Sequence, residues 1–389
     1  MFKPFYGQEE SYFTEKNCGH TAREIAHQPA MWRALVGVLQ ENKSKINDFI
    51  SSIGSLNNKR IILTGAGSSG FVGRGVAGFA AKSGILCEAV HTTDIVSAPE
   101  TYLFADIPTV LISFARSGNS PESEGAVRYA RKVVKDLYEI AIVCDGESKL
   151  SKTTAESEKG LLLVMPEGTN DKGFAMTSSV SCMMLAGLAL FNGSKIDELT
   201  ADITALANYV EENGRRFSDA ALTCANWDYD RAWFMGCGPL AAVCQEGALK
   251  LMELTNGAVV AGNNASTEFR HGPKTVMSPT TLTLHFVSNK PFTAKYDIDL
   301  INELYQEKGT NRIAVLHDES IGSVNADLAI PFSNKDYGIG EDIAVALQGL
   351  LFMQLMAMHT SLKLGIGTDN PSPSGSVNRV VKGVTVYPL

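Results

Sequence analysis

Three apolar segments recur in the same order roughly 170 residues further along the chain. This constrains the fold more than any other feature. Arg60-Ile-Ile-Leu-Thr-Gly-Ala-Gly67 is echoed by Arg231-Ala-Trp-Phe-Met-Gly-Cys-Gly238. Val110–Phe114 is echoed by Leu282–Phe286, and Ile140–Asp145 by Ile313–Asp318. Leu161–Pro166 and Leu328–Pro331 make a looser fourth pair. Each is a short, nearly continuous apolar run, the pattern of a strand buried on both faces of a parallel sheet. One echo carries little, because apolar strands look alike. Several at a near-constant offset mark a duplicated domain.

Helical patterns lie between the strands. Ser120-Pro121-Glu122 opens one with a capping hydroxyl, proline at the first helical position and early acids. Leu240–Leu254 and Asp299–Gln306 are its counterparts in the second half. Gly173–Leu190 and Glu341–His359 read as the closing helices of the two domains, with Asp197–Phe217 joining them. Glu24 to Leu35 reads as one helix interrupted, or begun, at Pro29. The expected fold is therefore α/β: two tandem domains, each a three-layer α/β/α sandwich with a mainly parallel sheet. The expected divisions are an N-terminal helical extension (1–50), a first domain (51–195), a connecting helix (196–217), a second domain (218–370) and a tail (371–389). Val380–Tyr387 reads as a terminal strand, in which Lys382 by itself would face solvent.

With 389 residues, the chain has enough length for two sizeable cores. A net charge of −8, without basic tracts, argues against a nucleic-acid partner. The seven cysteines include no C-x-x-C pair and mostly sit in apolar runs, so free buried thiols in a reducing cytoplasm are expected. The first residues lack a signal-peptide apolar region. Ile343–Met358 is apolar but short and carries Gln348 and Gln354, so it reads as a core helix and not a membrane span.

Gly65-Ala66-Gly67-Ser68-Ser69-Gly70 meets the G-x-G-x-x-G spacing of a dinucleotide site, with Glu88 as the candidate ribose-binding acid. An ordinary strand–helix turn is the plainer alternative. Ser68 and Ser69 favour a third reading, because hydroxyls donate directly to phosphate oxygens. Ser113-Phe-Ala-Arg116-Ser117-Gly118-Asn119-Ser120 supplies another hydroxyl-rich loop before a capped helix. Adjacent parallel strands would bring both loops to one carboxyl edge, where Ser68, Ser69, Arg116, Ser117, Asn119 and Ser120 are candidates for holding a phosphomonoester.

In the second half, Glu246, Lys250 and Glu253 fall four and three residues apart, on one helical face. The face is either a solvated charge-paired surface or a polar stripe near the sheet's ligand edge. Glu268-Phe-Arg-His271-Gly272-Pro273 fixes an imidazole in a turn without metal-ligand spacing. His91, before Thr92-Thr93-Asp94, is a second turn histidine placed to line or support the first-domain cleft. An imidazole with a carboxylate suits sugar ring opening followed by proton transfer between adjacent carbons. No cofactor or metal is required.

At these residues the chain resembles the sugar isomerase (SIS) domain family in its duplicated form. The resemblance covers roughly residues 50–389 and also the lead-in helix Glu24–Trp32. His91-Thr-Thr-Asp-Ile-Val, Phe114-Ala-Arg-Ser-Gly-Asn-Ser-Pro-Glu-Ser and Asn170-Asp-Lys-Gly-Phe-Ala-Met-Thr-Ser-Ser resemble, within it, the branch of galactosamine catabolism. The resemblance implies that Glu253 moves a proton between C1 and C2, and that His271 opens the ring, reaching across a dimer interface. It matches Lys250 to the family's helix lysine and Lys382 to the C-terminal lysine beside the open-chain sugar, in place of the solvent-facing reading. Phosphate falls to Ser69, Ser117 and Ser120, although Arg116 and Asn119-Ser120-Pro121 depart from the family's usual loop. Phe2 stands where an ammonia-supplying relative has its glutaminase cysteine, so the expected direction is loss of ammonia. The implied reaction converts D-galactosamine 6-phosphate and water to D-tagatose 6-phosphate and ammonia, in a cytoplasmic homodimer or larger homo-oligomer. A non-deaminating aldose–ketose isomerase, or a sugar-phosphate binder without turnover, are the alternatives.

Overall fold

The computed structural model describes residues 1–192, 195–333, 342–381 and 383–389. Five helices lead in: α1 (Phe2–Tyr6), α2 (Glu10–Glu15), α3 (Gly19–Ala26), α4 (Gln28–Glu41) and α5 (Lys43–Ile53). Pro29 lies in the first turn of α4, where its missing N–H costs nothing, so a new helix begins there.

The first repeat then runs β1 (Arg60–Gly65), α6 (Ser68–Ala80), β2 (Cys87–His91), α7 (Thr92–Ser97), α8 (Pro99–Tyr102), β3 (Thr109–Ala115), α9 (Pro121–Val133), β4 (Leu137–Val143), α10 (Lys149–Ala155), β5 (Gly160–Val164) and α11 (Ser178–Phe191). After α12 (Ile196–Asn226), the second repeat runs β6 (Arg231–Met235), α13 (Leu240–Leu254), β7 (Val260–Asn264), β8 (Thr281–Phe286), α14 (Pro291–Glu307), β9 (Arg312–Asp318), β10 (Leu328–Phe332) and α15 (Ile343–Lys363). The connecting helix α12 extends nine residues beyond the expected Phe217, to Asn226. Glu341, expected to open the last helix, lies outside the described residues.

Both sheets are wholly parallel and five-stranded, in the orders β2-β1-β3-β4-β5 and β7-β6-β8-β9-β10. The echoed segments are β1 and β6, β3 and β8, β4 and β9, and β5 and β10, in equivalent places. The chain folds the same topology twice. In each sheet the strand order reverses beside the first strand of the repeat, creating a crevice at the carboxyl edge.

Two compact units result. One holds residues 30–171, 178–204 and 374–389; the other holds 1–29, 172–177 and 205–373. The N-terminal helices are thus shared out between the units. In the first-repeat unit, Trp32 Nε1 donates to Ser181 Oγ at 2.9 Å, fixing α4 on α11. Asp171 caps α11, accepting from the Ser178 hydroxyl at 2.6 Å and the Ser179 amide at 3.0 Å. In the second-repeat unit, the Glu24 carboxylate accepts the Gly173 amide at 3.1 Å. The core of the first unit packs Ile62, Leu111, Ala141 and Val143 under α9, and that of the second packs Met235, Val287, Ile313 and Val315 under α14.

The terminal strand expected over Val380–Tyr387 does not form among the described residues. No free sheet edge takes this segment. Side chains hold it instead: Val386 packs on the core beneath α9, and the Tyr129 hydroxyl donates to the Tyr387 carbonyl. Among the described residues, α15 alone is long and apolar enough to cross a membrane, and its apolar window is buried, as in a core helix. All seven cysteines are free thiols.

Candidate active site

The first repeat presents two loops at its sheet crevice. After β1, Gly67 adopts φ 55° and ψ −127°, a conformation costly for any residue with a Cβ, and so turns the chain straight into α6. Ser68 and Ser69 occupy the first turn of that helix, largely buried, where backbone amides and the helix dipole favour an anion. His91 closes β2 at the same edge. A Cβ on Gly70 would come within 2.3 Å of its Nδ1, so glycine there lets helix and imidazole pack together. The histidine supports the turn.

After β3 comes Arg116, 7% exposed, whose Nη2 donates to the Arg379 carbonyl at 2.8 Å. Arg379 in turn donates from Nε to the Asp171 carbonyl at 2.9 Å, which ties the tail to the loop. Asn119 spends its side chain on the loop itself: Nδ2 donates to the Ser117 carbonyl at 2.9 Å, and Oδ1 accepts the Lys149 amide at 3.1 Å. Ser120 is the N-cap of α9, accepting the Ser123 amide at 3.2 Å and donating to the Ser123 hydroxyl at 2.8 Å. Among the described residues, Ser117 accepts a single long contact, from the Asn119 amide at 3.4 Å. Among the six candidates, Asn119 and Ser120 make hydrogen bonds within the loop, Arg116 holds the tail, and Ser68 and Ser69 lie at the start of α6.

The dinucleotide reading fails on Glu88. That carboxylate lies beside Ile62, three residues before the end of β2, and not at the sheet's carboxyl edge. Arg60 grips both its oxygens at 2.8 and 2.6 Å, and this pairing draws the carboxyl below its usual range. The hydrogen bonding from Arg60 is the main cause of that shift.

In the second repeat, α13 springs from the equivalent G-x-G turn. Glu246 and Lys250 are 2% and 1% exposed, Glu253 24%. The solvated-surface reading of this face is overturned by the burial of Glu246 and Lys250. Lys250 contacts the Glu253 carboxylate, and its Nζ lies 3.6 Å from Glu246 Oε1. A buried cation between two carboxylates is tolerable because each charge offsets the desolvation of the next. Glu253 is the more open of the two acids.

His271 stands on a different element, a short turn after Glu268–Arg270. Phe269 is buried beneath it, and Arg270 and Lys274 on either side both clamp Glu303 of α14, at 2.7 and 2.5 Å. The turn is fixed and the imidazole points outward, exposed on its unit. Lys382 lies outside the described residues. Neither Arg379 nor the carboxylates at the second crevice, Asp297 and Asp342, were expected; each acts through contacts between segments far apart in sequence.

Twin parallel α/β sheets with hydroxyl loops at one crevice and a buried carboxylate–lysine pair beyond the other define a duplicated phosphosugar-type fold. The SIS domain family matches residues 56–193. The D-galactosamine-6-phosphate deaminase AgaS of Shewanella sp. strain ANA-3 is 38% identical over 95% of this chain and 92% of its own length. The D-galactosamine-6-phosphate deaminase AgaS of Escherichia coli is likewise 38% identical, over 95% of each chain. The crystal structure of tagatose-6-phosphate ketose/aldose isomerase from Escherichia coli superposes with a TM-score of 0.85 at 33% identity, covering 95% of this chain and 96% of that one. The chain belongs to the SIS domain family, in its AgaS branch.

Proposed function

We propose that the protein is a deaminating aldose–ketose isomerase, a hydrolase converting D-galactosamine 6-phosphate and water to D-tagatose 6-phosphate and ammonia. The observation that carries this reading is identity at 38% across almost the whole chain to proteins named for that activity. The buried Lys250–Glu253 pair supports it chemically.

In this scheme the first repeat binds the phosphate through Ser68, Ser69 and Ser117, and the second repeat supplies the acid–base groups. His271 assists ring opening. Glu253 takes the C2 proton, giving a 1,2-enaminol, and returns it to C1 to leave an imine at C2. Lys250 stabilises the charge developing on the substrate oxygen, its own positive charge being held by Glu246. Water then adds at C2 and ammonia departs. Lys382 is assigned the place beside the open-chain sugar that the family resemblance gives it. The enzyme acts in the cytoplasm as a homodimer or larger homo-oligomer, with the exposed His271 serving a neighbouring subunit.

The name of the solved Escherichia coli isomerase favours one second reading, a non-deaminating isomerase using the same residues on a C2-hydroxyl sugar. An ammonia-release assay separates the two. Galactosamine 6-phosphate, run beside glucosamine 6-phosphate, should yield ammonia and tagatose 6-phosphate in equal amounts. No ammonia from either sugar, with turnover of tagatose 6-phosphate, would replace the first reading by the second.

A further inference from the structure

The crevice of the second repeat is built like that of the first, yet it is already full. Its three rims are the turn after β6, the segment after β7 and the loop after β8. Each sends one donor to the same side chain, Asp297 of α14, which is fully buried. The Cys237 thiol reaches Oδ1 at 3.2 Å, the Ser266 hydroxyl also donates to Oδ1, and the Ser288 amide donates to Oδ2 at 3.1 Å. Cys237 is the central residue of Gly236-Cys237-Gly238, the counterpart of Gly65-Ala66-Gly67. By the β3–β8 echo, Ser288 holds the place of Arg116.

The rest of the β8 loop is met by a second buried carboxylate. Asp342 accepts the Ser288 hydroxyl at 2.9 Å and the Asn289 amide at 2.8 Å. The first repeat is made differently. Counted from the opening proline, Asp297 is the seventh residue of α14, and the seventh of α9 is Val127, an apolar core residue. There the loop after β3 satisfies its own groups through Asn119 and Ser120.

A thiol, a hydroxyl and an amide from three different strand ends, converging on two oxygens of one anion, are what an oxyanion pocket needs. We propose that the second repeat, in which Pro239, Leu240 and Asn289 stand where the first has Ser68, Ser69 and Ser117, has a crevice whose own donors are closed by its own carboxylate, Asp297, so that the chain holds one sugar-phosphate site and not two. Duplication made two equivalent crevices; one takes the substrate's phosphate and the other became a structural tie across its sheet edge. The inference rests on the reading of the first-repeat loops as the phosphate cradle.

Inorganic phosphate is the probe. Calorimetric titration into the whole protein should give one phosphate per chain for the wild type, none for Ser117→Glu, two for Asp297→Gly and one for the double variant. Two phosphates on the wild type, or no gain on a folded Asp297→Gly chain, would overturn the proposal. If the wild type takes none but Asp297→Gly takes one, the first-repeat reading falls and the internal anion stands. Should Asp297→Gly not fold, its refolding yield is compared in sodium formate and in equal sodium chloride. Recovery in formate alone supports a free carboxylate replacing the lost one; no recovery in either would sink the idea.

Discussion

Lys250 and Glu253 form an ion pair one turn apart on α13, with the lysine 1% and the glutamate 24% exposed. The lysine is enclosed, and the glutamate keeps an open side.

Glu253→Gln keeps the size of the side chain and deletes the base. Turnover should fall by about 100- to 10,000-fold, the usual contribution of general acid–base catalysis. Phosphate binding, measured by titration, should stay near the wild-type value. Near-normal kcat would remove Glu253 from the mechanism.

Lys250→Met should remove the cation that lies 3.6 Å from Glu246, which is 2% exposed. Loss of one partner from a buried pair costs about 3–5 kcal/mol. Urea unfolding midpoints should show this, and adding Glu246→Gln should recover much of the loss. A double variant no more stable than the single one would mean that Glu246 is not what Lys250 neutralises.

Ser117→Glu places a like charge where a phosphate is expected. KM should rise at least about tenfold, equivalent to ~1.4 kcal/mol, while kcat changes little. An unchanged KM would exclude Ser117 from the cradle.

Two histidines should weaken the fold in acid. Burial lowers the His285 pKa to about 3 and that of His359 to about 4, so both stay neutral in the native protein. In the unfolded chain they take up a proton near the ordinary value of about 6.5. The unfolded state therefore binds more protons as pH falls below about 6.5, and stability declines until the folded values are reached. Each histidine adds up to about 1.4 kcal/mol per pH unit across that window. His285→Gln, measured by melting temperature from neutral pH down to about 4.5, should have a shallower slope than the wild type; an identical slope would show that His285 is already charged in the fold.

The elements legible in the sequence are those whose burial is local and symmetric. The central strands β1, β3, β4 and their echoes are covered on both faces, so they read as unbroken apolar runs. The edge strands β2 and β7 went unseen as strands. Cys87-Glu-Ala-Val-His91 and Val260-Ala-Gly-Asn-Asn264 are partly exposed, and an edge strand has no reason to be continuously apolar. The tail misled for the opposite reason. Its valines alternate like a strand's, yet Val386 serves a helix-covered core.

By itself, then, the sequence determined the duplication, the parallel α/β class, the hydroxyl loops and the face shared by Glu246, Lys250 and Glu253. Periodicity settles which residues share a face, because the backbone repeat is intrinsic to the helix or strand. It does not settle what covers that face. Tertiary packing alone decided that Lys250 is buried, that Asn119 and Ser120 serve the loop, and that Asp297 fills the second crevice. Those outcomes depend on groups from distant strands meeting at one sheet edge, where burial turns a modest contact into an obligatory one.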